Sequence, residues 1–392
     1  MKYKLSLLMD SMLSSGANFL ITFLLLKYAG NESVVMFGVA MTLSLIFLSF
    51  QRTIVLIPFN LMEDKCSKVR VIEFLSCSFF LLVLFMMLIL ISTYFVFPSQ
   101  EQWLLAPALF AFLFMHESFR YLFMVSKLYF LPVLVSAILM FTLAASLLFD
   151  GVSIKLLINT YLCLFSIELI VIATYIVFKK ANTDEQQWDI FFWFRDIRNL
   201  LNRNVQSISQ LLLVHSPFLL VSALYPATVS SVLFLARSVF QPVQILIKSV
   251  EAIDQRKLAD IKGDAQIFVK SLFKKYILIS FVASSICLLI AVYLFPIVYT
   301  DQAVPQLNDL LFWAGILICL SCSRSVEMLL VKNNMYKRMN SSYLLSGLGV
   351  SSLLLLNLVL HLQVSLSFYI FIGWLFLAMT YYLIVIKGLY NE

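Results

Sequence analysis

Twelve apolar runs, each about twenty to twenty-five residues long, follow one another along this chain with little between them. They cover residues 5–29, 34–58, 74–97, 103–124, 128–149, 155–178, 205–224, 228–250, 275–298, 309–331, 342–361 and 366–387. At about 1.5 Å of helix rise per residue, such a run matches the hydrocarbon thickness of a bilayer. Within lipid the backbone must satisfy its own polar groups, which leaves only helices or closed barrels. Barrel strands would alternate apolar and polar residues, and these runs do not. With 62% hydrophobic and 12% charged residues over 392 positions, no soluble domain fits. The expected fold is an all-α polytopic membrane protein of twelve transmembrane helices.

The basic residues give the orientation, because Lys and Arg are retained on the cytoplasmic side during insertion. With both termini cytoplasmic, inner segments hold 21 of the 28 Lys and Arg, and only Lys27 and Lys155 fall outside. The remaining five, Arg52, Arg120, Arg237, Lys248 and Arg324, lie within spans. The net charge of +7 therefore reflects membrane topology and not a nucleic-acid footprint. The N-terminal run carries Asp10 and lacks a small-residue cleavage site, so it is read as the first span and not as a signal peptide. The connection 179–204, KKANTDEQQWDIFFWFRDIRNLLNRN, is polar at first and then amphipathic, with aromatics beside Arg195, Arg198 and Arg203. It is expected to lie in the membrane interface against anionic head groups and to separate six-helix halves over 1–178 and 205–392. At an offset of 196, Ala40 matches Ala236 and Arg52 matches Lys248, a weak internal repeat. An even number of spans per half requires both repeats to share one topology.

The eighth span concentrates the chemistry. Arg237, Gln241, Gln244, Lys248, Glu251 and Gln255 recur at threes and fours. On an unbroken helix they fall within roughly 40° of one line. Each charge buried there costs on the order of 3 kcal/mol, so the stripe needs a purpose. Gln241-Pro242 predicts a kink, since proline lacks a donor and crowds the preceding turn. Two readings stand: the cations pair with acids on neighbouring helices and lock the bundle, or they line a hydrated cationic cavity. In the first span Asp10, Ser11, Ser14, Ser15, Asn18 and Thr22 form another polar face. Asp10 and, in the sixth span, Glu168 need a cation, a proton or a strong donor, which makes them candidates for ion coupling. Arg52 or another cation is the expected partner of Asp10. The fourth and tenth spans carry Glu117/Arg120 and Arg324/Glu327, opposite charges at i,i+3. His116 adjoins the first pair; His215 and His361 read as structural. Cys319 and Cys322 form a CxxC without further ligands, so small core residues are expected and no metal or cofactor.

No GxxxxGK[ST] is present for ATP, so energy must come from an ion gradient, the membrane potential or a partner. The outer loops are too short to build a water-excluding catalytic site, and an enzyme is not expected. No repeated ring of ligands suggests a selective channel, and the loop 60–73 lacks the glycine-framed Asp-Arg pattern of major-facilitator carriers.

Three stretches carry a resemblance to a family. They are FLLLKYAGNESVVMFG (23–38), ESFRYLFMVSKLYF (117–130) and ARSVFQPVQILIKSVEAIDQRKLADIKG (236–263). With the twelve-span pattern they resemble the multidrug/oligosaccharidyl-lipid/polysaccharide (MOP) exporter superfamily, most of all its O-antigen (Wzx-type) flippases. The chain departs from the pattern where Gln255-Arg256 stand in place of a common proline, and it is short for the family. The resemblance implies a MATE-like V-shaped transporter of two six-helix bundles working by alternating access in the bacterial inner membrane. It implies a cargo of undecaprenyl-diphosphate-linked oligosaccharide, with membrane lipids, other polysaccharide-assembly proteins and an H+ or Na+ ion as partners. A diphosphate suits Arg and Lys, and sugar hydroxyls suit amides. Arg52, Arg237 and Lys248 are thus the expected diphosphate contacts, with Gln241 and Gln244 toward the sugar. The alternative is an ion-coupled drug antiporter in which Asp10 and Glu168 are operative.

Overall fold

The structure, a computed structural model, describes residues 2–56, 68–96, 104–146, 153–178, 208–244, 265–298, 304–332, 335–362 and 364–386. Isolated positions at 59, 205, 246–247, 250–251 and 254 are also described. These residues are almost wholly helical. The helices are α1 (2–29), α2 (31–51), α3 (Lys68–Val96), α4 (Leu105–Val125), α5 (Phe130–Ser146) and α6 (Ile154–Phe178). They continue as α7 (208–214 and Ser216–Leu224), α8 (Ala227–Val239, resuming at 241–244), α9 (Ala265–Val298), α10 (Leu307–Lys332), α11 (Tyr336–Val359) and α12 (Leu366–Ile386). Each occupies one of the twelve apolar runs. The chain is an all-α polytopic membrane protein.

The first turn shows why so little sequence is needed between spans. Helical hydrogen bonding runs from Lys2 to Gln51, interrupted only at Gly30, whose φ of 80° lies in the left-handed region. An L side chain resists that conformation, and glycine takes it freely. At its far end α2 unwinds locally into a π-turn, Arg52–Leu56.

Two compact units divide the chain: Met1–Ala29 with Met36–Ser207, and Gly30–Val35 with Ile208–Glu392. Each is built on its fourth helix. In the first unit every residue of α4 from Leu105 to His116 is buried, and α3, α5 and α6 pack around it. A helix apolar on all sides belongs at the centre of such an arrangement. In the second unit α10 holds the same place, with Leu310, Trp313, Ile316, Leu317 and Leu329 buried against α8, α9, α11 and α12. Peripheral helices turn large apolar side chains outward, as at Phe79, Phe80, Val83 and Met87 of α3 and Leu278, Phe281, Val282 and Leu289 of α9. Outward-facing apolar side chains on this scale mark a lipid-facing surface. Hydroxyls within spans bond back to their own helix, as Thr22 Oγ1 does to Asn18 O at 2.9 Å and Thr93 Oγ1 to Ile89 O at 2.9 Å. That keeps them satisfied where no water is available.

In the second unit, α7 breaks at His215, and Ser216 Oγ donates to Leu212 O. Helix α11 lies against this break so closely that a Cβ on Gly347 would stand 2.7 Å from the Leu212 carbonyl carbon. At α8 the helix ends at Val239, and the Phe240 N–H bonds Arg237 O at 3.2 Å. Helical bonding resumes with Val243 and Gln244 both donating to Phe240 O. The expected kink is present, one residue before Gln241-Pro242. The 3.6-residue phase of the stripe is interrupted there, between Arg237 and Gln241.

Candidate functional site

Charged residues of the first unit converge on the middle of α4. Asp10, 1% exposed, meets three side chains from two other helices. Arg120 Nε stands 2.5 Å from its Oδ2, a close ion pair and not an aligned hydrogen bond. Ser136 of α5 donates to Oδ1 at 2.6 Å, and His116 Nε2 lies 3.4 Å from the same oxygen. His116 Nδ1 is 2.6 Å from Oε1 of the fully buried Glu168 on α6. One imidazole therefore bridges two carboxylates, with the Phe112 ring stacked on its face at 5.4 Å. Arg120 also reaches Glu117, Nη1 to Oε1 at 2.9 Å. On the polar face of α1, Ser15, Asn18 and Thr22 are also buried.

Several of these placements were beyond the sequence. The partner of Asp10 is a cation other than Arg52, namely Arg120; Arg52 is exposed in the π-turn. His116 was expected to join Glu117 and Arg120, its neighbours in sequence. The structure sets it between Asp10 and Glu168, residues 106 positions before it and 52 after it in the chain. Ser136 carried no signal, being one hydroxyl beside Thr142 and Ser146 in an apolar run.

The second unit has a counterpart pair on α10. Arg324 Nη1 binds Glu327 Oε2 at 3.0 Å, and Tyr343 of α11 donates to Glu327 Oε1 at 2.5 Å. Below α8, Asp254 is buried and accepts from Lys275 Nζ at 2.7 Å and from the Tyr276 hydroxyl at 3.1 Å. Reading α8 as a stripe passed over Asp254, which lies within its basic tail.

Arg237 differs from Arg120 and Arg324. It is half-buried, its guanidinium sits 4.2 Å above the Phe218 ring of α7, and no described carboxylate pairs with it. Stacking on an aromatic face leaves the guanidinium edge, with its N–H donors, free for an anion. Phe218 in turn packs against Phe234 at 5.5 Å and Trp313 at 5.8 Å. The buried Oε1 of Gln241 and Nε1 of Trp313 have no hydrogen-bond partner among the described residues. A buried amide oxygen and an indole N–H left open cost free energy unless something else supplies the partner. Gln244 is half-buried in the next turn; Lys248 and Gln255 lie outside the described residues. Phe218 is a residue that sequence reasoning missed, because one phenylalanine among 36 carries no pattern.

Cys319 and Cys322 are buried, free thiols within the α10 core. An apolar groove of about 580 Å3 lies between α3, α4 and α6, lined by residues that include Phe79, Phe80, Val83, Met115 and Ile172. It holds no ionisable group and adjoins the lipid-facing side of α3.

No protein-family model matches the sequence, and no curated protein matches it. Solved structures match the fold over nearly the whole length. A structure of MATE in the bent conformation superimposes with a TM-score of 0.60 at 13% identity, covering 97% of this chain and 93% of that one. The inward-facing conformation of a multidrug resistance MATE family transporter of the MOP superfamily gives 0.60 at 11% identity, covering 98% and 97%. An outward-facing conformation of a transporter of the same description gives 0.54 at 12% identity, covering 99% and 93%. The twelve helices thus follow the MATE fold.

Proposed function

We propose that this chain is a flippase that carries a lipid-linked oligosaccharide across the bacterial cytoplasmic membrane for surface polysaccharide assembly. The observation that carries the reading is Arg237. Buried cations in proteins are held by acids, and Arg120 and Arg324 obey that rule at 2.5–3.0 Å. Arg237, in the eighth span, has an aromatic platform in place of an acid. Its counter-charge then comes from the cargo, and a diphosphate matches a guanidinium with two parallel charge-assisted hydrogen bonds. Gln241 and Trp313, one an acceptor and the other a donor, suit the hydroxyls of the attached sugar. Arg52, Gln244 and Lys248 complete the proposed path of the head group. The alternating access of two six-helix halves, 1–178 and 205–392 joined by 179–204, would move it. Both termini lie on the cytoplasmic side in this reading.

A second reading, an ion-coupled antiporter of small molecules, is favoured by one observation: the buried Asp10–His116–Glu168 cluster. It also fits the fold, since the superimposed structures are of multidrug resistance transporters. The anion-seeking Arg237 argues against cationic drugs as cargo. Substituting Arg237 while measuring surface glycan and membrane abundance together separates the readings. Arg237→Lys should impair export and Arg237→Ala abolish it, both at normal abundance. Normal glycan with Arg237→Ala would overturn the flippase reading.

A further inference from the structure

Helices α3 and α6 both pack on α4 and hardly touch each other, which leaves a furrow between them with α4 as its floor. This is the apolar groove of about 580 Å3. Its first wall is a stripe of α3, Ile72, Leu75, Ser76, Phe79, Phe80 and Val83, spaced at threes and fours along one face. The second wall is α6 from Leu169 to Ile176 at the same spacing. From Ile72 to Val83 a helix rises about 16 Å. That is half of the roughly 30 Å hydrocarbon thickness, so the furrow is one leaflet deep.

Cations stand at its end. One turn before Ile72 is Lys68, half-buried at the start of α3. Lys127 is exposed in the turn after α4, and its neighbour Ser126 shares a hydrogen bond with Tyr175, the residue before Ile176. Among the described residues no carboxylate pairs with either lysine, and Glu73, nearby on α3, is buried and held by Arg70 at 2.7 Å. Apolar walls one leaflet deep, with two cations at one end, match the two parts of an anionic lipid, its tail and its phosphate. The second unit differs at the corresponding place. There α9 and α12 meet through Phe273 and Tyr382, rings 5.9 Å apart, and the space between the helices is bridged.

We propose that the α3–α6 furrow binds one anionic phospholipid, with an acyl chain over Met115 and the head-group phosphate at Lys68 and Lys127. Placing that lipid in the cytoplasmic leaflet rests on the topology read from the basic residues. The chemistry of the site does not, and it is independent of what the chain transports. A polyprenyl tail is a poorer match, being several times longer than one leaflet, and it would overrun the furrow. The tail also has a use where it lies. Met115 precedes His116 and Leu169 follows Glu168, so floor and wall adjoin the buried contact those two make at 2.6 Å. An acyl chain in place keeps water from that contact, and a lipid bound to the folded state alone stabilises it.

The test uses purified full-length protein in detergent, with phospholipids of identical acyl chains. Native mass spectrometry of the wild type should show one retained phosphatidylglycerol, held about tenfold more tightly than phosphatidylcholine. Lys68→Gln combined with Lys127→Gln should erase that preference. Ala173→Trp, which fills the furrow from an exposed position, should lower retention of both lipids. A phosphatidylglycerol with a photoreactive diazirine on its chain needs no variant, and should label residues 72–83 and 169–176 of the wild type. Equal retention of the two phospholipids, an unchanged preference in the double variant, full retention by Ala173→Trp, or labelling confined to other helices would overturn the proposal. So would displacement of phosphatidylglycerol by one equivalent of undecaprenyl phosphate, which would make the furrow a site for a cargo tail. None of these measurements reads glycan export, so their failure and failure of the flippase reading are separate results.

Discussion

At the scale of single residues, three of the four arginines within spans, Arg120, Arg237 and Arg324, divide by what they lean on. Arg120 and Arg324 each hold an acid, and removing such a partner strands a charge in a dry site. Arg120→Ala should leave Asp10 uncompensated, costing about 3–5 kcal/mol and lowering membrane abundance. Adding Asp10→Asn should restore much of that abundance, because the stranded charge is then gone; no recovery would mean that Arg120 acts by packing alone. Arg237→Ala strands nothing, since its neighbour is the Phe218 ring. Its abundance should stay near wild type while glycan export fails. Phe218→Leu should weaken export partially, the cation–π contact being worth about 0.5–2 kcal/mol, and Phe218→Tyr should retain it. Export by Phe218→Leu equal to that of the wild type would show that the platform is not needed.

Helices set the next scale, where glycines offer a clean contrast on one element. A Cβ at position 347 meets the Leu212 backbone at the α7 break, whereas a Cβ at position 349 meets nothing within 4 Å. Gly347→Ala should therefore destabilise the second unit by roughly 1–3 kcal/mol through overpacking. Gly349→Ala should be neutral or slightly stabilising, about 0.5–1 kcal/mol by helix propensity. Thermal inactivation in detergent of the two variants checks the difference, and equal behaviour would contradict the close approach. The break in α8 was partly legible. Gln241-Pro242 is written in the sequence, but the helix ends at Val239, before the proline. Proline marks a neighbourhood; the competing hydrogen bonds of the preceding turn decide the residue.

For the whole molecule the testable property is topology. If the inner segments that hold 21 basic residues are cytoplasmic, single cysteines at Asn182 and Asp301 should label from opposite faces of the membrane. The same face for both would break the twelve-span arrangement. The twelve spans were within reach of the sequence because each repeats the same physical demand, an apolar length fitted to the bilayer; the MATE-like arrangement entered only as what the family resemblance implied. At 11–13% identity the superimposed structures share that demand with this chain, and few of its residues.

What the sequence determined by itself was local and periodic: the number of helices and their order. Those follow from runs of ten to thirty residues read one at a time. The tertiary structure alone decided which ionisable group meets which. Asp10 found Arg120 and not Arg52, His116 turned from Glu117 to Glu168, and Arg237 came to rest on Phe218. Such pairs join helices separated by tens to a hundred residues, and helical periodicity fixes only the face from which a side chain projects. The partner on the facing helix depends on packing around α4 and α10, where side chains of every size compete for one volume.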